Sequence, residues 1–516
     1  MSFSALPGRS LLRLPERPAV LLKNNKPTIA DLFRTDPDRG RFFRVRAGGW
    51  ALDLAGLPLN RDDQARFDQG LSAADLDTAL QRLRSGAEVN PTEQRGAWHM
   101  ALRAQDPSSQ LGPERGQLLA RQRDQFLDLA DEWFEGRSGL TDLIHIGIGG
   151  SDLGPRLLAE ALADGQSAVK VHWLSTLDAR RVQALLRRLN PATTGLVMAS
   201  KSMMTEETVV QGAEVFRWLG ESATQRTWVA TARPDRAAEF GVAEDHVLPF
   251  PAEIGGRFSL WSSVGVSAAA AIGRPAFEAL LAGAAQADED FLRHPIAHGL
   301  PQRLALLFQA IVQRLALKDL TVVPYDPRLR LLAGHFQQLF MESLGKQVSL
   351  AGDLLDRPTI PLIATAGGTD VQHAMFQAFH QSGDDHPLLL VGSLDSQAER
   401  PAWGRRQLGH LLAQASAFAR GLDDVESWRR LPGSRPVGLL LVDQLTPATL
   451  GYLLASAEHA VYTLSTLWQI NPFDQWGVEE GKRLAGQYFD ALGDEPTFDR
   501  VFELLDRLRG GGSIDR

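Results

Sequence analysis

Residues 142–162 have the sequence DLIHIGIGGSDLGPRLLAEAL, in which three local patterns follow one another. The apolar run at 143–146 is typical of a buried strand, the glycine-rich segment 147–152 indicates a tight loop, and residues 153–162 favour a helix. N–H groups at the start of such a helix attract anions. A dinucleotide-binding fingerprint is excluded because it requires glycine where Asp152 stands. The segment predicts a strand, a loop and a helix, in which the loop is either a ligand-binding loop or a purely structural turn.

The same alternation continues along the chain and predicts its fold class. Further apolar runs lie at 169–174, 195–199, 227–231 and 246–250, and again at 320–324, 359–364, 387–391 and 436–442, with helical stretches between them. Such units indicate βαβ crossovers and mostly parallel sheets covered by helices on both faces. We therefore predict an α/β protein with a helical N-terminal segment (1–110), two α/β domains (111–285 and 286–470) and a C-terminal segment (471–516).

Composition excludes several classes of protein. The net charge of a 516-residue chain with 54 basic and 62 acidic residues is −8, which argues against a general nucleic-acid binder. The chain has no cysteine, so disulfides, thiolate catalysis and cysteine-bound metals are excluded. No signal-peptide pattern and no apolar stretch long enough for a membrane span are found, and we expect a cytoplasmic protein.

Residues 200–205, SKSMMT, follow the predicted strand at 195–199 and precede a helix. The hydroxyls of Ser200, Ser202 and Thr205, the ammonium of Lys201 and the first N–H groups of that helix could together hold a phosphate. The glycine pattern of a nucleoside-triphosphate loop is missing. The alternative interpretation is an ordinary helix cap by Thr205.

Two segments carry residues suited to proton transfer and charge stabilisation. Glu342 lies near the end of a predicted helix at 329–343, with Gln338 one turn earlier, so that a base would have a substrate-positioning neighbour. Arg257, within GGRFSLWS at 255–262, could stabilise a developing oxyanion. Taken alone, a glutamate near a helix end is more often a solvated surface residue, and such an arginine more often forms a structural ion pair.

Two further segments offer weaker candidates. His373 lies near the start of a predicted helix at 369–381 and could act as an acid or a base near neutral pH. A zinc site there is improbable because no third ligand follows at metal spacing. In FDQWGVEEGK at 473–482, Lys482 could polarise a sugar oxygen and Gln475 could donate to a phosphate or a hydroxyl.

Taken in order, seven segments resemble the phosphoglucose isomerase family: 90–103, 146–154, 200–208, 255–262, 337–346, 368–380 and 473–482. The segments at 255–262 and 473–482 match the two signatures of that family. The resemblance implies two sugar-isomerase (SIS) domains, each a three-layer α/β/α sandwich, in a homodimer. It also implies reversible conversion of glucose 6-phosphate to fructose 6-phosphate without a metal or another cofactor.

The resemblance implies a role for each matching residue. Glu342 matches the base that moves a proton between C1 and C2 through a cis-enediol(ate), and Arg257 matches the arginine that stabilises this intermediate. Lys482 and His373 match ring-opening residues; Glu207 matches the acid that orients this histidine, which the family supplies from the other subunit. The substrate- and phosphate-binding positions are Gly150, Ser151, Ser200, Lys201, Ser202, Thr205, Gln338 and Gln475.

The sequence departs from the family pattern at a few positions, and two other functions compete with the isomerase. Met204 replaces a threonine of the phosphate loop, and Leu344 stands where asparagine is usual. One alternative is a non-catalytic SIS module that binds sugar phosphates and regulates a partner. Another is an aldose–ketose isomerase with a different phosphosugar. The presence of all four residues with proposed proton-transfer or charge-stabilising roles favours the isomerase.

Overall fold

Eleven strands and twenty-one α-helices form the fold in a computed structural model that describes residues 27–296, 298–423, 425–493 and 496–509. Residues 1–26 of the N-terminal segment and 510–516 of the C-terminal segment therefore lie outside the described residues. The strands are β1 Arg44–Ala47, β2 Trp50–Asp53, β3 Asp142–Ile146, β4 Lys170–Leu174, β5 Thr194–Ala199, β6 Thr227–Thr231, β7 Val247–Pro249, β8 Asp319–Pro324, β9 Leu362–Thr365, β10 Leu388–Ser393 and β11 Val437–Val442.

The helices lie mostly between these strands, as the alternation of patterns predicts. They are α1 Ile29–Thr35, α2 Arg39–Phe42, α3 Arg61–Ala73, α4 Leu76–Arg84, α5 His99–Arg103, α6 Ser108–Leu111, α7 Pro113–Phe134, α8 Leu153–Leu162, α9 Ala179–Leu186, α10 Glu206–Leu219, α11 Pro234–Glu239, α12 Val266–Ile272, α13 Arg274–Arg293, α14 Leu300–Gln309, α15 Leu332–Leu344, α16 Gly368–Ala374, α17 Phe376–Gln381, α18 Pro401–Arg420, α19 Pro447–Trp468, α20 Glu479–Leu492 and α21 Phe498–Arg509.

The first sheet is entirely parallel, in the order β4-β3-β5-β6-β7. Successive side chains of one strand point to opposite faces, so Leu143 belongs to one buried apolar cluster and Ile144 to another. In the same way, Val197 lies in the cluster of Leu143, and Met198 lies in the cluster of Ile144. Because both faces are covered, the inner strands β5 and β6 are buried at every residue and mostly apolar, which explains why the sequence pattern located them.

The second sheet has the order β1-β2-β11-β10-β8-β9 and is parallel from β11 to β9. Its strands also divide their side chains between two clusters: Leu389 packs in the cluster shared with the first sheet, and Leu390 packs on the outer face. The central cluster therefore lies between the sheets and joins the two halves. The predicted three-layer α/β/α architecture with mostly parallel sheets is confirmed.

The structure differs from the sequence prediction in the N-terminal segment. Residues 1–110 were predicted to be helical, but β1 and β2 form an antiparallel hairpin, and β2 pairs antiparallel with β11. Each of these strands has only four residues, and β1 is partly exposed along its length. A run this short at the edge of a sheet lacks the continuous apolar character that marked the other strands.

A second difference concerns the helix predicted at 369–381. Met375, with φ −115° and ψ −27°, ends α16 and begins α17, so the predicted helix is divided in two. His373 lies in the last turn of α16 and is exposed. Within the described part of the chain, no helix combines the length and the apolar character needed to cross a membrane.

Candidate active site

Arg257 is the centre of the site, and the fold buries its guanidinium almost completely. It lies in the 3-10 helix Gly256–Trp261, and its side chain is 1% exposed. Nε donates to Ser343 Oγ at 2.6 Å, and Nη1 donates to Glu342 Oε1 at 2.8 Å and to Gln475 Oε1 at 3.1 Å. Nη2 donates to the backbone carbonyl oxygens of Pro472 and of Asp474, the latter at 3.1 Å. All five N–H donors of the guanidinium are thus paired.

Burial has an electrostatic consequence for this arginine. It lowers the pKa of Arg257, while the neighbouring carboxylate of Glu342 acts in the opposite direction. An arginine keeps its positive charge even after such a shift. The site therefore holds a fixed cation whose orientation is set by five acceptors.

Glu342 is held from both sides in the last turn of α15. One carboxylate oxygen accepts from Arg257, and the other accepts from Gln338 Nε2 at 2.9 Å. Gln338 and Glu342 are four residues apart, so they lie on the same face of the helix. The side chain of Glu342 is 26% exposed, in contrast to that of Arg257. The carboxylate is thus both oriented and accessible.

The glycine-rich loop after β3 lies directly against this arrangement. A Cβ atom on Gly150 would lie 2.0 Å from the carbonyl oxygen of Gly256, so the backbones meet at a distance that only glycine allows. Gly149 has φ +58°, and a Cβ there would lie 2.8 Å from Gln338 Nε2. The contact places the loop beside the segment that carries Arg257.

The loop after α19 closes another side of the site through Asp474. Lys346 Nζ donates to Asp474 Oδ1 and to the Asp474 carbonyl oxygen, both at 2.6 Å. Asp474 Oδ2 accepts from Thr92 Oγ1 at 2.7 Å and from Asn471 Nδ2 at 2.8 Å. Lys346, Asp474 and Thr92 had no predicted role, although all three lie in segments that matched the family. Local sequence patterns could not reveal these contacts, because Asp474 lies 128 residues from Lys346 and 382 residues from Thr92.

The predicted phosphate loop forms a compact turn before α10. Ser200 Oγ lies 3.1 Å from Thr205 Oγ1 and accepts from the N–H of Met203, whose φ is +49°. Ser202 Oγ accepts from the N–H of Met204 at 3.2 Å. The loop is therefore folded on itself, and the hydroxyls of Ser200 and Thr205 are in contact. Met204, the departure from the family pattern, is 63% exposed.

Lys201 brings a positive charge to this loop. Burial lowers the pKa of Lys201 to about 8, and the other charged groups that affect it are Glu93, Arg95, Glu253 and Arg257. The phosphate loop and the buried arginine thus lie within electrostatic range of each other.

Three predicted residues are not brought to Arg257 within one chain. Lys482 lies on α20, is 64% exposed and donates to Glu479 Oε1 at 2.7 Å. His373 is exposed on α16, and its ring has no hydrogen-bond partner among the described residues. Glu207, in the first turn of α10, is half-buried and its carbonyl oxygen accepts from Gln211. No contact joins Glu207 to His373 within the described chain.

A cavity of about 900 Å³ lies beside Glu342. Lys346 and Gln475 line it together with apolar side chains such as Ile360 and Trp476. Gln475 Oε1 faces Arg257, which leaves its amide nitrogen as a donor. The cavity therefore presents a carboxylate and an amide to a polar ligand.

Comparisons with known proteins identify one family that resembles this chain over most of its length. Residues 57–500 match the family model described as phosphoglucose isomerase. The glucose-6-phosphate isomerase of Xanthomonas campestris pv. campestris (strain B100) is 41% identical over 494 residues, which cover 93% of this chain and 96% of the relative. That of Xanthomonas axonopodis pv. citri (strain 306) is 39% identical over the same length and coverage. A solved glucose-6-phosphate isomerase from Chlamydia trachomatis superimposes with a TM-score of 0.82 at 27% identity, covering 94% of this chain and 96% of that one.

Proposed function

Because this chain belongs to the phosphoglucose isomerase family, we propose that it interconverts D-glucose 6-phosphate and D-fructose 6-phosphate through a cis-enediolate. The observation that carries the proposal is the 2.8 Å contact between the buried Arg257 and the accessible carboxylate of Glu342. This contact places a base and a fixed cation at one point. An aldose–ketose isomerase needs both, since the proton on C2 is a weak acid and its removal creates a negative oxygen.

The proton moves between two carbons of the same substrate. Glu342 removes the proton from C2 of the open-chain aldose, and the electron pair forms the C1–C2 double bond while negative charge develops on O1. Arg257 stabilises this charge. Glu342 then returns the proton to C1, and the O2 hydroxyl loses its proton as the C2 carbonyl forms. The net change is one C–H bond broken, one formed, and one proton moved from O2 to O1.

The other residues bind and open the sugar. We assign the phosphate to Ser200, Lys201, Ser202 and Thr205, with Gly150, Ser151, Gln338 and Gln475 contacting the substrate. The approach of Ser200 Oγ to within 3.1 Å of Thr205 Oγ1, in the loop that also carries Lys201, supports this assignment. His373 and Lys482 take part in ring opening, and Glu207 orients His373.

The active unit that we propose is a homodimer of two-domain subunits in the cytoplasm, with domains at 111–285 and 286–470. The exposed position of His373 and the absence of a contact with Glu207 within the described chain support a histidine supplied by the other subunit. In that arrangement, each site combines Glu342 and Arg257 of one chain with His373 of its partner.

The test is a coupled assay that measures glucose 6-phosphate formed from fructose 6-phosphate without added metal. We expect conversion by the wild-type chain and a loss of several orders of magnitude in kcat for E342Q, with little change in KM. E278Q, at an exposed glutamate of α13, is the matched control and should keep wild-type activity. Absence of conversion by the wild-type chain would support the regulatory sugar-phosphate-binding module instead. Near-normal turnover by E342Q would remove Glu342 as the base.

A further inference from the structure

Lys346 connects the helix that carries Glu342 to the loop that holds Arg257. It follows the end of α15 by two residues, and its ammonium makes two 2.6 Å hydrogen bonds to Asp474, one to the carboxylate and one to the backbone carbonyl. The side chains of Lys346 and Asp474 are 13% and 8% exposed. Charge-assisted hydrogen bonds of this kind are shorter and stronger than hydrogen bonds between neutral groups.

Asp474 has its remaining acceptors occupied as well. Its second carboxylate oxygen accepts from Thr92 and Asn471, and its carbonyl oxygen accepts from Arg257 Nη2 at 3.1 Å in addition to Lys346. The carbonyl oxygen of Asp474 therefore accepts hydrogen bonds from both Arg257 and Lys346. A shift of this loop would move the acceptor of Arg257 and, with the next residue, the amide of Gln475.

We propose that Lys346 is a positioning residue, which fixes Asp474 and thereby holds Arg257 and Gln475 in register with Glu342. This inference rests on the proposed isomerase function of the site. Two of the three ammonium N–H groups of Lys346 are used on Asp474, so its main contacts are to the protein rather than to the cavity. Its effect on the reaction then passes through the geometry of Arg257.

The loss of Lys346 should change turnover more than binding. Without the ammonium, the buried carboxylate of Asp474 has no cation bound to it, and its loop loses the contacts that tie it to the end of α15. Displacements of about 1 Å at a catalytic group can reduce rates about a hundredfold. The phosphate loop at 200–205 does not contact Lys346, so the main determinant of substrate affinity is left in place.

The experiment compares the steady-state kinetics of K346M, K346R and D474N with those of wild type. We expect kcat of K346M to fall by about ten- to a hundredfold with KM changed by less than about twofold. K346R, which keeps the charge and the donors, should recover most of the lost kcat. K170M removes the same charge at an exposed lysine of β4 and should match wild type.

A double-mutant cycle tests whether Lys346 acts through Asp474. The loss of kcat in K346M/D474N should be clearly smaller than the two single losses combined, because both substitutions remove the ion pair between the Lys346 ammonium and the Asp474 carboxylate. Additive losses would overturn the proposal, as would a wild-type kcat for K346M or an increase in KM alone. Thermal unfolding measures whether each variant is folded. If K346M does not fold, K346Q, which keeps a neutral donor, replaces it, and the same changes in kcat and KM support or overturn the proposal. Inactivity of the wild-type chain would refute the isomerase function itself.

Discussion

At the scale of single residues, the five N–H donors of Arg257 each form a hydrogen bond, and together these five bonds fix the position of the guanidinium. A lysine has three donors and cannot reproduce that planar set. We therefore predict that R257K folds but loses about 10²–10³ in kcat, measured in the coupled assay, because the cation no longer faces the developing oxyanion. Arg483 on the exposed helix α20 provides the control, and R483K should be unaffected. A value of kcat within threefold of wild type would contradict the assigned role.

Lys201 gives a second prediction at this scale, which concerns pH. Burial lowers the pKa of Lys201 to about 8 in the free enzyme, so its ammonium is charged below this pH and neutral above it. Since kcat/KM reports the free enzyme, it should fall above about pH 8 as the phosphate loop loses its charge. K201R should move this alkaline limb to higher pH, whereas K170R should leave it unchanged. An identical alkaline limb in K201R and wild type would show that another group is responsible.

At the scale of secondary-structure elements, a buried charge cluster behind the site joins three helices. Arg103 on α5 pairs with Asp288 on α13 and with Glu458 on α19, and Glu458 also accepts from Trp261 at the end of the segment that carries Arg257. Burial raises the pKa of Glu458 to about 7, and the charge of Arg103 opposes that rise. The cluster therefore supports the segment that carries Arg257 from within the core.

Removal of the cation should destabilise the protein. We predict that R103M lowers the free energy of unfolding by about 3–5 kcal/mol, because two buried carboxylates lose the arginine that pairs with both of them. Urea unfolding followed by circular dichroism measures this change. R483M removes an exposed arginine paired with Glu480 and should leave the urea midpoint unaltered. Equal midpoints for R103M and wild type would contradict a supporting role for the cluster.

The strands and the site also show how much of the structure could be predicted from the sequence alone. The inner parallel strands were located because burial on both faces makes them mostly apolar, as in Thr194–Ala199, where every residue is buried. The hairpin of β1 and β2 was missed because its four-residue strands are stabilised by pairing with β11 rather than by their own pattern. Arg257 and Glu342 were identified through the family resemblance, and their contact required the structure, since they lie 85 residues apart.

At the scale of the whole molecule, the proposed dimer makes a prediction that a single-chain site does not. If His373 serves the partner's Glu342, a heterodimer of E342Q and H373A contains one site with both native residues. Co-expression of the two inactive variants in equal amounts should then restore about one quarter of wild-type specific activity, because half of the dimers are mixed and each has one intact site. The mixed dimers would be purified with two different affinity tags. No recovery of activity in these dimers would indicate that each histidine acts within its own chain.

The hairpin near the N-terminus also affects how the chain is made. Its strand β2 pairs with β11, and the indole N–H of Trp50 donates to the carbonyl of Thr449, 399 residues later in the chain. A ribosome adds about 5–20 residues per second, so β11 is synthesised roughly 20–80 s after β2. During that time the apolar side chains of β2 need protection. We therefore expect newly made chains to depend on chaperones until almost the whole protein has been synthesised.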